Sequence, residues 1–269
     1  MNHKNVEIYV FHYKQGKAIT NIPCYIQIWA GKNKSQQPGS FSGDDSGINI
    51  SFKNKYYSEL TGLYWVWKNT RQNIVGSMHY RRFLTNCNEP FRYRLKRFLY
   101  IVLGISKKRY GLIYTKNISD FAPLILNETQ TRQLLVQYDI ILPQARELKY
   151  TVKEHYKRYH QFSDLELLRS IIMEKHPLYL ETFDKVMDGD RLYANNMFVM
   201  NRENFDTCME WLFGLLFEFE SRINLSDYTG YQERIMGFLA ERLLTVWFLH
   251  SKLRIKELPV IYFKHLKYA

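Results

Sequence analysis

Two periodicities divide the apolar positions of this chain. Short runs rich in β-branched and aromatic residues occur at 6–13 (VEIYVFHY), 25–30, 74–78 and 138–143 (YDIILP, stopped by proline). Each has the length and composition of a buried strand. A fifth run, 192–200, is interrupted by Asn195-Asn196, a costly pair inside a strand unless a bulge or a ligand satisfies it. The second periodicity is helical. Leu60, Leu63, Tyr64 and Trp67 share one face of a helix expected to start at Asn49 or Ser51 and to break at 69–73. Further helices are expected over 127–137 (capped by Asn127 or Thr129), 164–175 (capped by Ser163), from Pro177 to about 187, over 204–221 and over 231–249. Residues 31–47 read as a Gly/Ser-rich loop and 151–160 as a polar, aromatic connector. No repeat recurs and no Pro- or Ser-rich linker intervenes. The expectation is one α/β domain over 1–269, with a mixed central sheet and a helical C-terminal part.

Charge and composition narrow this frame. At 46% hydrophobic residues the chain has enough apolar surface for a substantial core, and its net charge of +12 favours acidic partners. Cys24, Cys87 and Cys208 show neither disulfide nor metal-ligand spacing, which suits a reducing, cytoplasmic setting. Residues 1–5 lead straight into a strand-like run rather than a leader's apolar region, and no apolar run reaches the ~20 residues of a spanning helix. Residues 91–112 stand out, with seven Lys/Arg and no acid around an apolar centre. Such a basic-apolar insertion suits the surface of an anionic membrane, against the plainer reading of a helix packed on the domain.

Candidate chemistry collects where strands end. His12 and Tyr13 close the first strand, and His79-Tyr80-Arg81-Arg82 follows the strand at 74–78. In open α/β sheets ligands bind at the carboxyl ends of strands, and adjacent guanidinium forks suit phosphate oxygens. On the last helix Arg234, Gly237, Glu241 and Arg242 fall on one face, where the alternative is a solvated salt-bridge face. Asp44 and Asp45 could bind a metal or a sugar hydroxyl, though a solvated turn is the plainer reading. Asp188-Gly189-Asp190 has the letters of an Asp-x-Asp metal motif but reads better as a turn. His155 and His160 lack zinc-ligand spacing.

The ordered set IYVFHYK, DDSGINISFKN, YYSELTGLYWVWKN, VGSMHYRRF, YDIILP, NNMFVM and YQERIMGFLAERL resembles the small glycosyltransferase-like proteins of bacterial capsular and exopolysaccharide clusters, a family long catalogued as a domain of unknown function. The resemblance covers almost the whole chain. It implies a GT-A-like fold and transfer of a sugar from a nucleotide-sugar donor, expected to be UDP-linked, to a lipid-linked or oligosaccharide acceptor at the inner face of the membrane. Enzymes of that fold carry an Asp-x-Asp after the strand that here leads into His79-Tyr80-Arg81-Arg82. That departure puts a divalent cofactor (Mn or Mg) in doubt, with Asp44 and Asp45 as reserve ligands.

By position, His12, Tyr13, Lys53, His79, Tyr80, Arg81 and Arg82 are the candidates for donor and diphosphate binding. Asn49, Glu59, Asn195, Asn196, Arg234 and Arg242 are the candidates for sugar, phosphate or acceptor contacts. Glu241 or Glu233 is the first choice of general base and Asp45 or Glu59 the second. The rival from another class is a non-catalytic basic protein bound to nucleic acid or anionic membrane. No RNA-binding signature supports its nucleic-acid form, and the cations gather in the insertion and the strand-end cluster rather than along a stripe.

Overall fold

The computed structural model describes residues 5–13, 16–34, 41–103 and 111–264. Its strands in chain order are β1 (Val6–His12), β2 (Tyr25–Trp29), β3 (Ser42–Gly43), β4 (Ile74–His79), β5 (Arg82–Leu84), β6 (Leu112–Thr115), β7 (Ile140–Pro143), β8 (Arg146–Glu147), β9 (Arg191–Leu192), β10 (Phe198–Asn201), β11 (Ile255–Leu258) and β12 (Val260–Phe263). Ten of them form one mixed sheet with the order β11-β7-β10-β4-β1-β2-β3, to which β5 adds beside β4, β12 beside β5 and β6 beside β12. Strands β8 and β9 pair separately.

Strand direction decides which residues meet. β4, β1 and β2 run parallel, so His79, His12 and Trp29 emerge at one edge. β10 is antiparallel to both β4 and β7. The entry to β10, carrying Asn195 and Asn196, and the exit from β7, leading to Arg146, therefore reach that same edge.

β1 shows why this sheet is buried on both faces. Tyr9 and Phe11 enter one apolar cluster and Val6, Ile8 and Val10 the other, following the two-residue alternation of a strand. The first cluster lies under the helices α1 (Asn54–Tyr57), α2 (Leu60–Asn69), α6 (Val152–Tyr159), α7 (Phe162–Lys175), α8 (Leu180–Asp188), α9 (Arg202–Ser221) and α10 (Ile235–His250). The second lies under α4 (Ile118–Phe121) and α5 (Glu128–Gln137), while α3 (Phe91–Val102) reaches it through Tyr93. Gly62 lets α2 approach β1, since a Cβ there would sit 2.5 Å from a Phe11 ring carbon.

Several sequence expectations need correction. The single helix from 51 to 68 is three pieces: a 3-10 turn (Ser51–Lys53), α1 and α2. The break falls at Ser58, whose φ of 51° is left-handed. Neither Asn49 nor Ser51 caps a helix: Asn49 accepts the Ser51 N–H at 3.2 Å, and the Ser51 hydroxyl donates to Asp44 at 2.6 Å. The connector at 151–160 is the helix α6, capped by Thr151, whose hydroxyl accepts the Glu154 N–H. Ser163 lies inside α7 rather than at its cap. The last helix begins at Ile235, behind a 3-10 turn (Gly230–Arg234) that holds Glu233 and Arg234. Of the basic-apolar insertion, residues 104–110 lie outside the described residues.

Candidate active site

A cleft of about 720 Å³ opens where β1, β4, β7 and β10 deliver their ends. Thirteen of the residues singled out from the sequence line it: His12, Tyr13, Glu59, His79, Tyr80, Arg81, Arg82, Asn195, Glu233, Arg234, Gly237, Glu241 and Arg242. The sheet supplies one wall, α1 with the Ser58 bend a second, and the start of α10 a third.

Local folding explains the placement. Asn195 and Asn196 both take left-handed φ values, 77° and 51°, a conformation asparagine tolerates better than most residues. The turn they make aims the Asn195 N–H at Glu241 Oε1, 2.7 Å away, while Asn196 Nδ2 donates to Glu59 Oε1 at 2.9 Å. Asn196 is thus buried behind the cleft wall and holds a carboxylate. Ser58, turned by its own left-handed bend, accepts Arg234 Nε at 3.0 Å. Opposite, Asp164 accepts the hydroxyls of Tyr156 at 3.1 Å and Tyr228 at 2.6 Å. This clamps α6 to the segment leading into the Gly230–Arg234 turn.

The charges sort themselves. Six cationic side chains face three carboxylates in the cleft. Lys55 pairs with Glu233 at 3.2 Å, Arg234 with Glu59 at 3.6 Å and Arg242 with Glu241 at 3.3 Å. Arg81, Arg82 and Arg146 remain, with no carboxylate partner among the described residues. Arg82 sits close enough to the other two to feel both: burial lowers its pKa first, and repulsion from Arg81 and Arg146 adds to this. The rings of Tyr80 and Tyr262 flank Arg81 at 5.3 and 5.0 Å, and Tyr262 lies 4.9 Å from Arg82, giving both guanidinium planes a face to lie on. Arg81 Nε and Arg242 Nε are buried without a hydrogen-bond partner.

Four histidines join this wall. His12 Nε2 lies 2.8 Å from Gln27 Oε1, which leaves its buried Nδ1 unpartnered. Burial holds His12 below the usual histidine range, against the opposing Gln27 hydrogen bond. His79 lies well below it, through burial first and then the charges of Arg82, Arg81 and Arg234. His155 and His160 are lowered by burial and by Arg242. A base whose folded pKa lies below its unfolded value near 6.5 contributes stability that is complete above that value. That contribution is lost as pH falls towards the folded pKa. The melting temperature should therefore drop as pH falls below about 6.5. His79→Gln should flatten that slope in a thermal melt series, and an unchanged slope would remove His79 from the account.

Other expected site residues lie elsewhere. Lys53 Nζ binds both Glu220 oxygens, at 2.7 and 2.6 Å, and tethers the start of α1 to α9. Asn49 is absorbed in the turn before Ser51, away from the cleft. Asp44 is fully buried and accepts the N–H groups of Gly31 and Lys32 and the Ser51 hydroxyl. Asp45 lies outside the cleft, 3.9 Å from Lys32 Nζ. The reserve metal ligands are therefore structural or surface groups. Among the described residues no three His, Cys, Asp or Glu side chains converge as a metal-ligand set. Sequence reasoning missed Arg146, Asn54, Lys55, Ser58, Tyr231 and the cleft positions of His155 and His160.

The sheet-edge cleft thus holds three guanidinium groups beyond the cations that its carboxylates pair with. The chain belongs to the family described as a domain of unknown function, DUF4422, whose model matches residues 7–252. Among solved structures it is similar to one titled "WbbM bifunctional glycosytransferase apo structure", with 30% identity and a TM-score of 0.84 over 97% of this chain. It spans 46% of that structure's length. None of the curated proteins matches it. The fold is thus the α/β arrangement of a glycosyltransferase structure, with the mixed sheet and helical C-terminal half expected from the sequence.

Proposed function

We propose that this chain transfers a sugar from a nucleoside-diphosphate donor, UDP-linked, to a hydroxyl of a lipid-linked or oligosaccharide acceptor in surface-polysaccharide synthesis. The observation that carries this is the trio Arg81, Arg82 and Arg146, which pair with no carboxylate among the described residues while every carboxylate of the cleft has a cation. A pyrophosphate supplies the missing charge and the planar oxygen pairs that guanidinium groups match. The WbbM likeness supports sugar transfer as the chemistry.

In this reading the nucleoside lies against His12, Tyr13 and Tyr80, whose rings sit together: Tyr13 is 5.3 Å and His12 5.8 Å from Tyr80. The arginines stabilise charge that grows as the anomeric carbon–oxygen bond to phosphate breaks, a role filled elsewhere by a metal. For an inverting transfer Glu241 takes the acceptor's proton as its oxygen attacks the anomeric carbon. Glu59 and Asn195 line the space left for the sugar. The acceptor's lipid would place the work at the cytoplasmic face of the membrane. No helix among the described residues is long and apolar enough to cross a membrane.

A nucleotide-sugar screen tests this, read by thermal shift and by donor hydrolysis, with manganese or with EDTA. UDP-sugars should stabilise the protein and be hydrolysed slowly in both conditions. Stabilisation by a short oligonucleotide alone would replace the enzyme with a nucleic-acid binder.

A further inference from the structure

We infer that helix α3 (Phe91–Val102) is a docking surface for an anionic lipid bilayer, on which it lies in the plane of the headgroups. Phe91, Leu95, Phe98 and Val102 recur at i, i+4, i+7 and i+11 and so form one stripe. All four are exposed, by 67%, 46%, 61% and 66%. Four large apolar side chains in a row on one helix make a patch that water disfavours. The opposite face explains what holds the helix. Tyr93 packs edge-on against Phe121 with ring centres 4.8 Å apart, and its hydroxyl donates to Asp120 at 2.8 Å. Arg92 pairs with the same carboxylate. One face is therefore anchored to the domain while the stripe points away from it.

Charge selects the occupant. Arg94 lies on one flank of the stripe, and Lys96 lies towards the face that carries Tyr93, three residues along the helix. Neither makes an ion pair with a carboxylate among the described residues, and residues 91–112 contain no acid at all. A protein partner would need an acidic rim matched to these positions. A bilayer of anionic lipid offers negative charge around an apolar interior, which suits an apolar stripe on an otherwise cationic helix. Too short and too charged to span, α3 can rest at the interface with its stripe immersed. Such docking would hold the cleft beside the lipid-linked acceptor proposed above. It rests on that reading only for its purpose.

The test is flotation of the full chain with phosphatidylglycerol-containing vesicles, with phosphatidylcholine vesicles as control. The protein should float with the anionic vesicles and not with the neutral ones. Leu95→Asp with Phe98→Asp should cut the bound fraction at least about tenfold. Arg94→Gln with Lys96→Gln should lower the partition coefficient about fivefold per cation and weaken its salt dependence. All four side chains are exposed, so the variants should fold, which circular dichroism checks. Hydrolysis of a UDP-sugar in solution should be unchanged, so failure of the docking surface and failure of the proposed transfer read separately. Wild-type flotation absent, or equal in the Asp variant, overturns the proposal. So does a dimer, measured by light scattering, that the Asp variant abolishes without any lipid binding, because the stripe then serves a second copy of this chain.

Discussion

Replacing Arg81 and Arg82 together by alanine should lower UDP affinity by a factor of about a hundred or more, measured by calorimetry. A charge-assisted hydrogen bond contributes roughly 1.5–3 kcal/mol, and about 1.4 kcal/mol is tenfold in affinity. Both guanidinium groups line the cleft and neither makes an ion pair with a carboxylate among the described residues. Without ligand, the removal should cost the fold little, since Arg82 is buried against the charges of Arg81 and Arg146. Lysine at both positions should recover part of the affinity, because the charge returns while the planar fork does not. Unchanged affinity in the alanine variant would dismiss the diphosphate role.

Glu241→Gln should reduce transfer by about 10² to 10⁴, with UDP affinity close to wild type. A single-turnover assay with a saturating donor separates the two. Glu241 also accepts the Asn195 N–H and pairs with Arg242, whose side chain is 2% exposed. A buried guanidinium stripped of its partner can cost about 3–5 kcal/mol. Glutamine keeps one acceptor, for the Asn195 N–H, and loses the oxygen that meets Arg242, while alanine loses both, which makes glutamine the more informative replacement. If Glu241→Gln transfers normally while Glu59→Gln does not, the base is Glu59, held by Asn196 and Arg234.

The strands were legible because burial on both faces leaves nearly continuous apolar runs. Strand ends then located His12, His79, Arg81 and Arg82 in the cleft without knowledge of the sheet order. Gly237 and Glu241 were reached through helical spacing. What escaped depends on tertiary partners. The bend at Ser58 has no glycine or proline to announce it, and it forms where Arg234 reaches across to its hydroxyl. α6 carries only two buried residues, Val152 and Tyr156, too few to give a helical period against its charged remainder. Its histidines reach the cleft because Asp164 clamps Tyr156 to Tyr228. Arg146 depends on the antiparallel course of β10, which no local pattern encodes. Asp44 was misjudged for the opposite reason: in a Gly/Ser-rich loop it looks solvated, yet three donors from distant positions bury it.

The distribution of ion pairs also implies a polarity of entry. Where the walls already carry their own counter-ions, an incoming molecule finds no net pull. Among the described residues of the cleft, only the cations of the Arg81–Arg82–Arg146 corner lack a carboxylate partner. An elongated guest charged at its middle and neutral at its tips is therefore registered lengthwise by that one corner, and the distance from its charge to each tip decides which atom comes to rest beside Glu241. Guests of equal charge but different span would bind alike and react unequally.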